Sequence, residues 1–161
     1  MTEMRIGHGY DVHRLVADRP LILGGVRIEH ELGLDGHSDA DVVAHAVMDA
    51  LLGAAGLPDI GVHFPPDDPR FADADSIGLV TRVKALLVDA GWREIVNVDV
   101  TIIAQQPRLF PHKGAMCRCL AKALGIDAGR VNVKATTTER LGAIGREEGI
   151  AVAAVCLIGH D

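Results

Sequence analysis

Asp11-Val12-His13 sets a carboxylate and an imidazole two residues apart, and a second imidazole, His45, follows about thirty residues later. On an extended strand, positions i and i+2 project from one face, so a strand from Met4 to His13 aims Asp11 and His13 the same way. One carboxylate and two imidazoles form a three-ligand set suited to zinc. Three protein ligands leave the fourth tetrahedral position open, the pattern of a catalytic rather than a structural site. Taken cold, the commoner meaning of such a trio is a surface Asp-x-His and an unrelated, hydrogen-bonded helix histidine, since the chain has 8 histidines. Asp49, one turn beyond His45, either orients that imidazole or is a solvated helix charge.

Other segments carry polar groups at element ends. His37-Ser38-Asp39-Ala40-Asp41 opens the helix of His45, where free N–H groups and the helix dipole suit a phosphate. Ordinary capping by Ser38 or Asp39 explains that cluster too, except for His37. Lys134-Ala135-Thr136-Thr137-Thr138-Glu139 ends a strand with three hydroxyls, and Glu139 is a hard oxygen ligand for Mg²⁺. A strand end followed by a turn accounts for it equally. In Ala104-Gln105-Gln106-Pro107-Arg108-Leu109-Phe110, backbone groups could read a base edge while Leu109 or Phe110 covers the ring; a plain connector is the simpler meaning. Gly142 to Gly149 lacks the Gly-Lys-Ser/Thr of a Walker loop and reads as a turn carrying Arg146.

The elements that must hold these groups follow from periodicity. Met4 to His13 alternates as a strand, with Gly7 and Gly9 marking a close approach by another backbone or a ligand. Leu21–Leu23 and Val26–Ile28 flank Gly24-Gly25 as a hairpin. A helix runs to about Leu52, with Gly53 near its end. Val43, Ala46, Val47, Ala50 and Leu51 form its apolar stripe, and Asp41, His45 and Asp49 a polar line on the other side. Pro58–Pro69 is a loop by composition, and a second helix spans Ser76–Ala90, closed by Gly91. Val96, Val98, Val100 and Ile102 alternate as a strand; Pro111 starts a third helix that stops at Leu124-Gly125. Val131–Ala135 and Ile150–Ile158 are the final strands, the last apolar enough to be central and buried on both faces. Strands and helices interleave, so the expected architecture is a single α/β domain over residues 1–161, an α+β sandwich with helices packed on one face of a mixed sheet.

With 161 residues and 48% hydrophobic residues the chain can bury a real core, and with 3% aromatics that core must be Val, Ile, Leu and Ala. The formal charge of −6 argues against nucleic acid, whose binding needs Lys and Arg. Three cysteines fit a reducing compartment, and Cys117 and Cys119 point to different faces of their helix. No apolar run reaches the roughly 18 residues of a membrane helix, and no signal-peptide h-region is present. The expected location is cytoplasmic.

Taken in order, six blocks resemble the 2-C-methyl-D-erythritol 2,4-cyclodiphosphate synthase family from Arg5 to Ile158. They are Gly-His-Gly-Tyr-Asp-Val-His, His-Ser-Asp-Ala-Asp, Asp59-Ile60-Gly61 before a Phe-Pro loop, Asn97 to Gln105, Lys134 to Glu139, and Gly145-Arg146-x-Glu148-Gly149. The resemblance implies a homotrimer with active sites between subunits, Asp11, His13 and His45 as zinc ligands, and Glu139 as a ligand for Mg²⁺ or Mn²⁺. It assigns His37, Ser38 and Thr137 to catalysis. His37, Ser38, Asp59, Ile60, Gly61, Phe64 and Asp68 would surround the methylerythritol phosphate end beside Asp11 and His13. Ala104, Pro107, Arg108, Leu109, Phe110 and Thr136–Thr138 with Glu139 would hold the cytidine and diphosphate. Arg146 and Glu148 would line a threefold channel that takes an isoprenoid diphosphate. Three positions depart from the family pattern: Pro66 follows Pro65 where Asp is common, Ala143 replaces a frequent Phe, and Ala40 a frequent Gly.

The implied reaction cyclises 4-diphosphocytidyl-2-C-methyl-D-erythritol 2-phosphate with release of CMP, by attack of the 2-phosphate on the β-phosphorus. It belongs to non-mevalonate isoprenoid biosynthesis. Two competing readings are a zinc-dependent phosphoesterase using water as nucleophile, and a trimeric, metal-stabilised isoprenoid-binding module without turnover.

Overall fold

The computed structural model describes residues 3–160. Its strands are β1 (Glu3–Val16), β2 (Leu21–Leu23), β3 (Val26–Ile28), β4 (Gly33–Leu34), β5 (Glu94–Ile103), β6 (Val131–Thr136) and β7 (Gly149–His160). The helices are α1 (Val42–Ala55), α2 (Ile60–His63), α3 (Ser76–Asp89), α4 (Lys113–Leu124) and the one-turn α5 (Gly142–Gly145). One five-stranded sheet runs in the order β4-β1-β7-β5-β6, antiparallel except for the parallel β5–β6 pair; β2 and β3 form the separate hairpin. Helix α1 lies on β1 and β7, α4 on β6, and α3 packs against both helices, so one sheet face is covered. The core is aliphatic as its composition requires, with Trp92 its single aromatic residue among those described.

Gly7 and Gly9 explain how α1 sits so close to β1. A Cβ at Gly7 would collide with the Ala50 carbonyl oxygen, and one at Gly9 with that of Ala46. Bare strand backbone meets the alanines of the helix, and His45, next to Ala46, is thereby carried to the level of Asp11 and His13.

Several boundaries differ from expectation. Helix α1 is capped by Asp41, which accepts from Val43 N and Ala44 N, rather than by Ser38 or Asp39, and it runs on past Gly53 to a left-handed Gly56. The line Asp41–His45–Asp49 is not a solvated face, because α1 is enclosed nearly all round. The Pro58–Pro69 segment holds the helical turn α2, whose N-cap Asp59 accepts from Val62 N, since its prolines flank the turn without interrupting it. A bulge between Ile95 and Asn97 puts Ile95, rather than Val96, on the core face. Strand β7 is central, yet it is not buried on both faces. The helices cover only one side, and on the other Val155 is 43% exposed beside Ile6 at 74%, with Met4, Tyr10 and Val12 also open. Among the described residues no helix is long and apolar enough to cross a membrane.

Candidate metal centre and flanking cavities

Asp11 and His13 share a face of β1 at its end nearest Gly36, and α1 brings His45 between them. Asp11 Oδ2 lies 2.9 Å from His13 Nε2 and 3.0 Å from His45 Nδ1, and the two nitrogens are 3.2 Å apart. The other Asp11 oxygen accepts from Val12 N, which leaves Oδ2 for the cluster.

The remaining ring nitrogens fix what those facing atoms are. His13 Nδ1 is 2.5 Å from the Asp35 carbonyl oxygen, which can only accept; Nδ1 therefore carries the hydrogen and Nε2 a lone pair. His45 Nε2 meets the hydroxyls of Ser76 at 3.1 Å and Ser38 at 3.3 Å. With Nε2 as the donor, His45 Nδ1 also presents a lone pair. Three acceptors then converge with no hydrogen among them, an arrangement that only a cation or an added proton makes favourable. Zinc bonds of about 2.0–2.1 Å at tetrahedral angles separate donor atoms by about 3.3 Å, close to these three edges. Burial opposes charge on Asp11, but the hydrogen bonds and charges of His13 and His45 outweigh it and hold the carboxyl well below its ordinary value. Burial likewise disfavours imidazolium at His13, yet Asp11 and the Asp35 carbonyl raise its pKa above 6.5. The donor set fits a divalent cation.

A cavity of about 220 Å³ opens on the cluster, lined by His13, His37, Ser38, His45, Met48, Ile60, Gly61, Phe64, Pro66, Phe71 and Leu79. Of the expected sugar-side residues, His37, Ser38, Ile60, Gly61 and Phe64 reach it. Asp59 caps α2 instead, and Asp68 is engaged by Arg70 through a 2.6 Å ion pair. Asp49 does not touch the His45 ring; its carboxylate accepts from Ile60 N at 2.9 Å and anchors α2. Asp41, fully buried, accepts from Gly24 N and Gly25 N and locks the hairpin to α1; burial pushes its pKa up, although those donors favour the anion.

A second cavity of about 470 Å³ is lined by Ala104–Phe110, Lys113, Ala135–Thr137 and Glu139. It shares no lining residue with the first. Phe110 is 70% exposed and Lys113 Nζ lies 5.1 Å from its ring centroid, whereas Leu109 lines the cavity while most of its side chain is buried in the core. Glu139 N donates to Thr137 Oγ1, Thr138 Oγ1 donates to the Leu141 carbonyl, and Arg140 N donates to Gln105 Oε1, tying the two loops together. Glu139 and Arg140 both hold left-handed backbone, with φ of 52° and 63°. Lys134 turns away to pair with Asp99. Arg146 is exposed and donates to Glu148 Oε1 at 2.7 Å; Ala143 and Glu148 line a shallow depression of about 210 Å³.

Sequence reasoning missed Arg19, whose guanidinium donates to the carbonyls of Gly36 and Ser38 and so shapes the His37–Ser38 segment. It also missed Ser76 and Asp39 as partners of the cluster; Arg19 and Ser76 lie far along the chain from the segments they hold.

A one-sided sheet with an Asp/His/His cluster at its rim defines an α/β protein with a candidate metal site that opens on a cavity. The chain belongs to the YgbB family, whose profile matches residues 4–159. Its relatives include the 2-C-methyl-D-erythritol 2,4-cyclodiphosphate synthase of Synechocystis sp., 61% identical over 158 residues, which are 98% of each chain. Among solved structures it is similar to the bifunctional IspDF of Campylobacter jejuni, with a TM-score of 0.96 and 44% identity over 100% of this chain and 43% of that one. It is also similar to the CDP complex of Plasmodium falciparum IspF, with a TM-score of 0.85 and 32% identity over 98% and 97% of the two chains.

Proposed function

We propose that this chain is a cyclodiphosphate synthase: it converts 4-diphosphocytidyl-2-C-methyl-D-erythritol 2-phosphate to 2-C-methyl-D-erythritol 2,4-cyclodiphosphate and CMP, as a phosphorus–oxygen lyase of the non-mevalonate route to isoprenoids. The observation that carries the reading is the convergence of three potential metal-ligand atoms beside a cavity containing His37 and Ser38. The family membership and the named relatives support it.

The nucleophile is an ionised phosphate and the leaving CMP needs no strong acid, so the reaction asks for charge neutralisation and alignment rather than a catalytic triad. Asp11, His13 and His45 would hold zinc, and Glu139 Mg²⁺ or Mn²⁺. When bound, such cations would supply the positive charge that offsets repulsion between the phosphates. His37 and Ser38 hold the methylerythritol phosphate end in its folded conformer, with Ile60, Gly61 and Phe64 excluding water. Well-aligned intramolecular reactions gain about 7–11 kcal/mol from such positioning. Thr136, Thr137 and Thr138 with Glu139 face the diphosphate, and Ala104, Pro107, Arg108 and Phe110 the cytidine.

The bare apolar sheet face and the two separate cavities support a homotrimer, in which one copy's metal cavity is completed by its neighbour's threonine–glutamate cavity. Arg146 and Glu148 would then face a threefold channel able to take an isoprenoid diphosphate. The whole chain acts as one unit, in the cytoplasm. Phosphorus NMR of the product formed with both cations present tests the activity. A cyclic diphosphate plus CMP is expected; a linear phosphate would mark a phosphoesterase, and unconverted substrate alongside tight isoprenoid binding a binding module, either of which overturns the proposal.

A further inference from the structure

We infer that Ser76 and Asp39 form a positioning relay that sets the tautomer of His45 and thereby aims its Nδ1 lone pair at the metal position. The inference rests on the metal-centre reading above and concerns two residues outside the ligand set. Ser76, the first residue of α3, is fully buried. Its Oγ lies 2.5 Å from Asp39 Oδ1, and its backbone N donates to Asp39 Oδ2 at 3.0 Å. Of the two groups beside that hydroxyl, the Asp39 carboxylate can only accept, so the single Ser76 hydroxyl hydrogen goes there. The lone pairs of Ser76 Oγ are what remain for His45 Nε2 at 3.1 Å. Two acceptors would face each other unless Nε2 carries the hydrogen, and the relay therefore reads His45 Nε2–H to Ser76 Oγ, then Ser76 Oγ–H to Asp39.

Two further consequences follow. Ser38 Oγ also lies near His45 Nε2, at 3.3 Å, and accepts from Ala40 N. Because Ser76 receives the imidazole hydrogen, the Ser38 hydroxyl hydrogen stays free for whatever enters the cavity. Asp39 in addition holds its own segment, accepting from Asp41 N, while Asp39 N donates to the Ala74 carbonyl. The relay thus joins the metal ligand, the start of α1 and the start of α3. His13 reaches the same end by other means, through the main-chain carbonyl of Asp35. One ligand is oriented by backbone, which no side-chain substitution removes. The other depends on two side chains.

The test uses the full-length protein stripped of metal, with long-range ¹⁵N-edited NMR of the imidazoles above neutral pH and His45→Gln to assign the resonance. Wild type is expected to show the Nε2–H tautomer at His45, and an Nδ1–H signal there overturns the inference without any relay variant. Ser76→Ala should shift His45 toward a mixture of tautomers and weaken zinc binding, read by chelator competition, by about 10- to 100-fold. Ser76→Thr, which retains the hydroxyl, should recover most of that loss. Circular dichroism establishes that each variant is folded. A folded Ser76→Ala protein with unchanged tautomer and unchanged zinc affinity overturns the relay. Failure of wild type itself to bind zinc, with the tautomer shift intact, overturns the metal reading and leaves the relay standing.

Discussion

The two cavities are built in opposite ways. At the metal end, all three ligand side chains are at least half-buried, His45 is only 9% exposed, and each ring nitrogen outside the cluster has a partner. At the threonine–glutamate end the side chains are largely exposed, and Glu139 and Arg140 sit in left-handed backbone that ordinary residues adopt at a cost. The first region is preorganised inside one chain. The second is held by a few loop hydrogen bonds and stays largely open to solvent. The account therefore expects metal binding to be a property of the single chain, and turnover to need both regions.

His45→Ala should break the first region most severely. Zinc is lost and turnover falls at least about 10³-fold, since a single charge-stabilising donor is already worth 10²–10³. Metal analysis and a product assay read both, and zinc retained at wild-type affinity would refute the assignment. Gly9→Ala attacks the same region through packing. The new Cβ drives into the Ala46 carbonyl, and the shift of α1 should cost about 3 kcal/mol in a denaturant melt. Unchanged stability would mean α1 does not need that approach. Glu139→Gln addresses the other cavity. Turnover should drop about 10- to 100-fold with zinc content unaltered, which separates the regions; a simultaneous loss of zinc would merge them.

The smallest effect is on pH dependence. The folded pKa of His13 is raised above 6.5, so in metal-free protein its contribution is fully present below that value and is lost as pH rises through the raised one. Asp11 is shifted the other way, below 3.8, and its contribution holds throughout this window. Zinc needs a deprotonated His13 and gains as pH rises. The difference in melting temperature between zinc-loaded and metal-free protein should therefore widen from pH 6 to pH 8. A difference that narrows would contradict the pairing.

Much of the metal end could be read from residue order. Asp11 and His13 share a face by strand period, and Gly7 and Gly9 announced a close approach by a backbone or a ligand, which proves to be α1. What stayed hidden were polar groups satisfied from a distance. Asp41, His45 and Asp49 look like a polar line at helical spacing, yet each has a partner on another element: the Gly24-Gly25 hairpin, β1, and α2. Spacing along one helix carries no information about such partners. Asp39 reads as an ordinary helix cap, and Ser76 as no more than the start of a helix, for the same reason. The open face of β7 escaped notice because an apolar strand looks alike whether helices or another copy of the chain cover it.

Anomalous diffraction at the zinc edge on protein crystallised with zinc tests the central claim most directly. The account predicts one peak per chain, bonded to Asp11 Oδ2, His13 Nε2 and His45 Nδ1 at about 2.0–2.2 Å, with the fourth position turned toward His37 and Ser38. A peak elsewhere, with these three side chains still closed on one another, would contradict it.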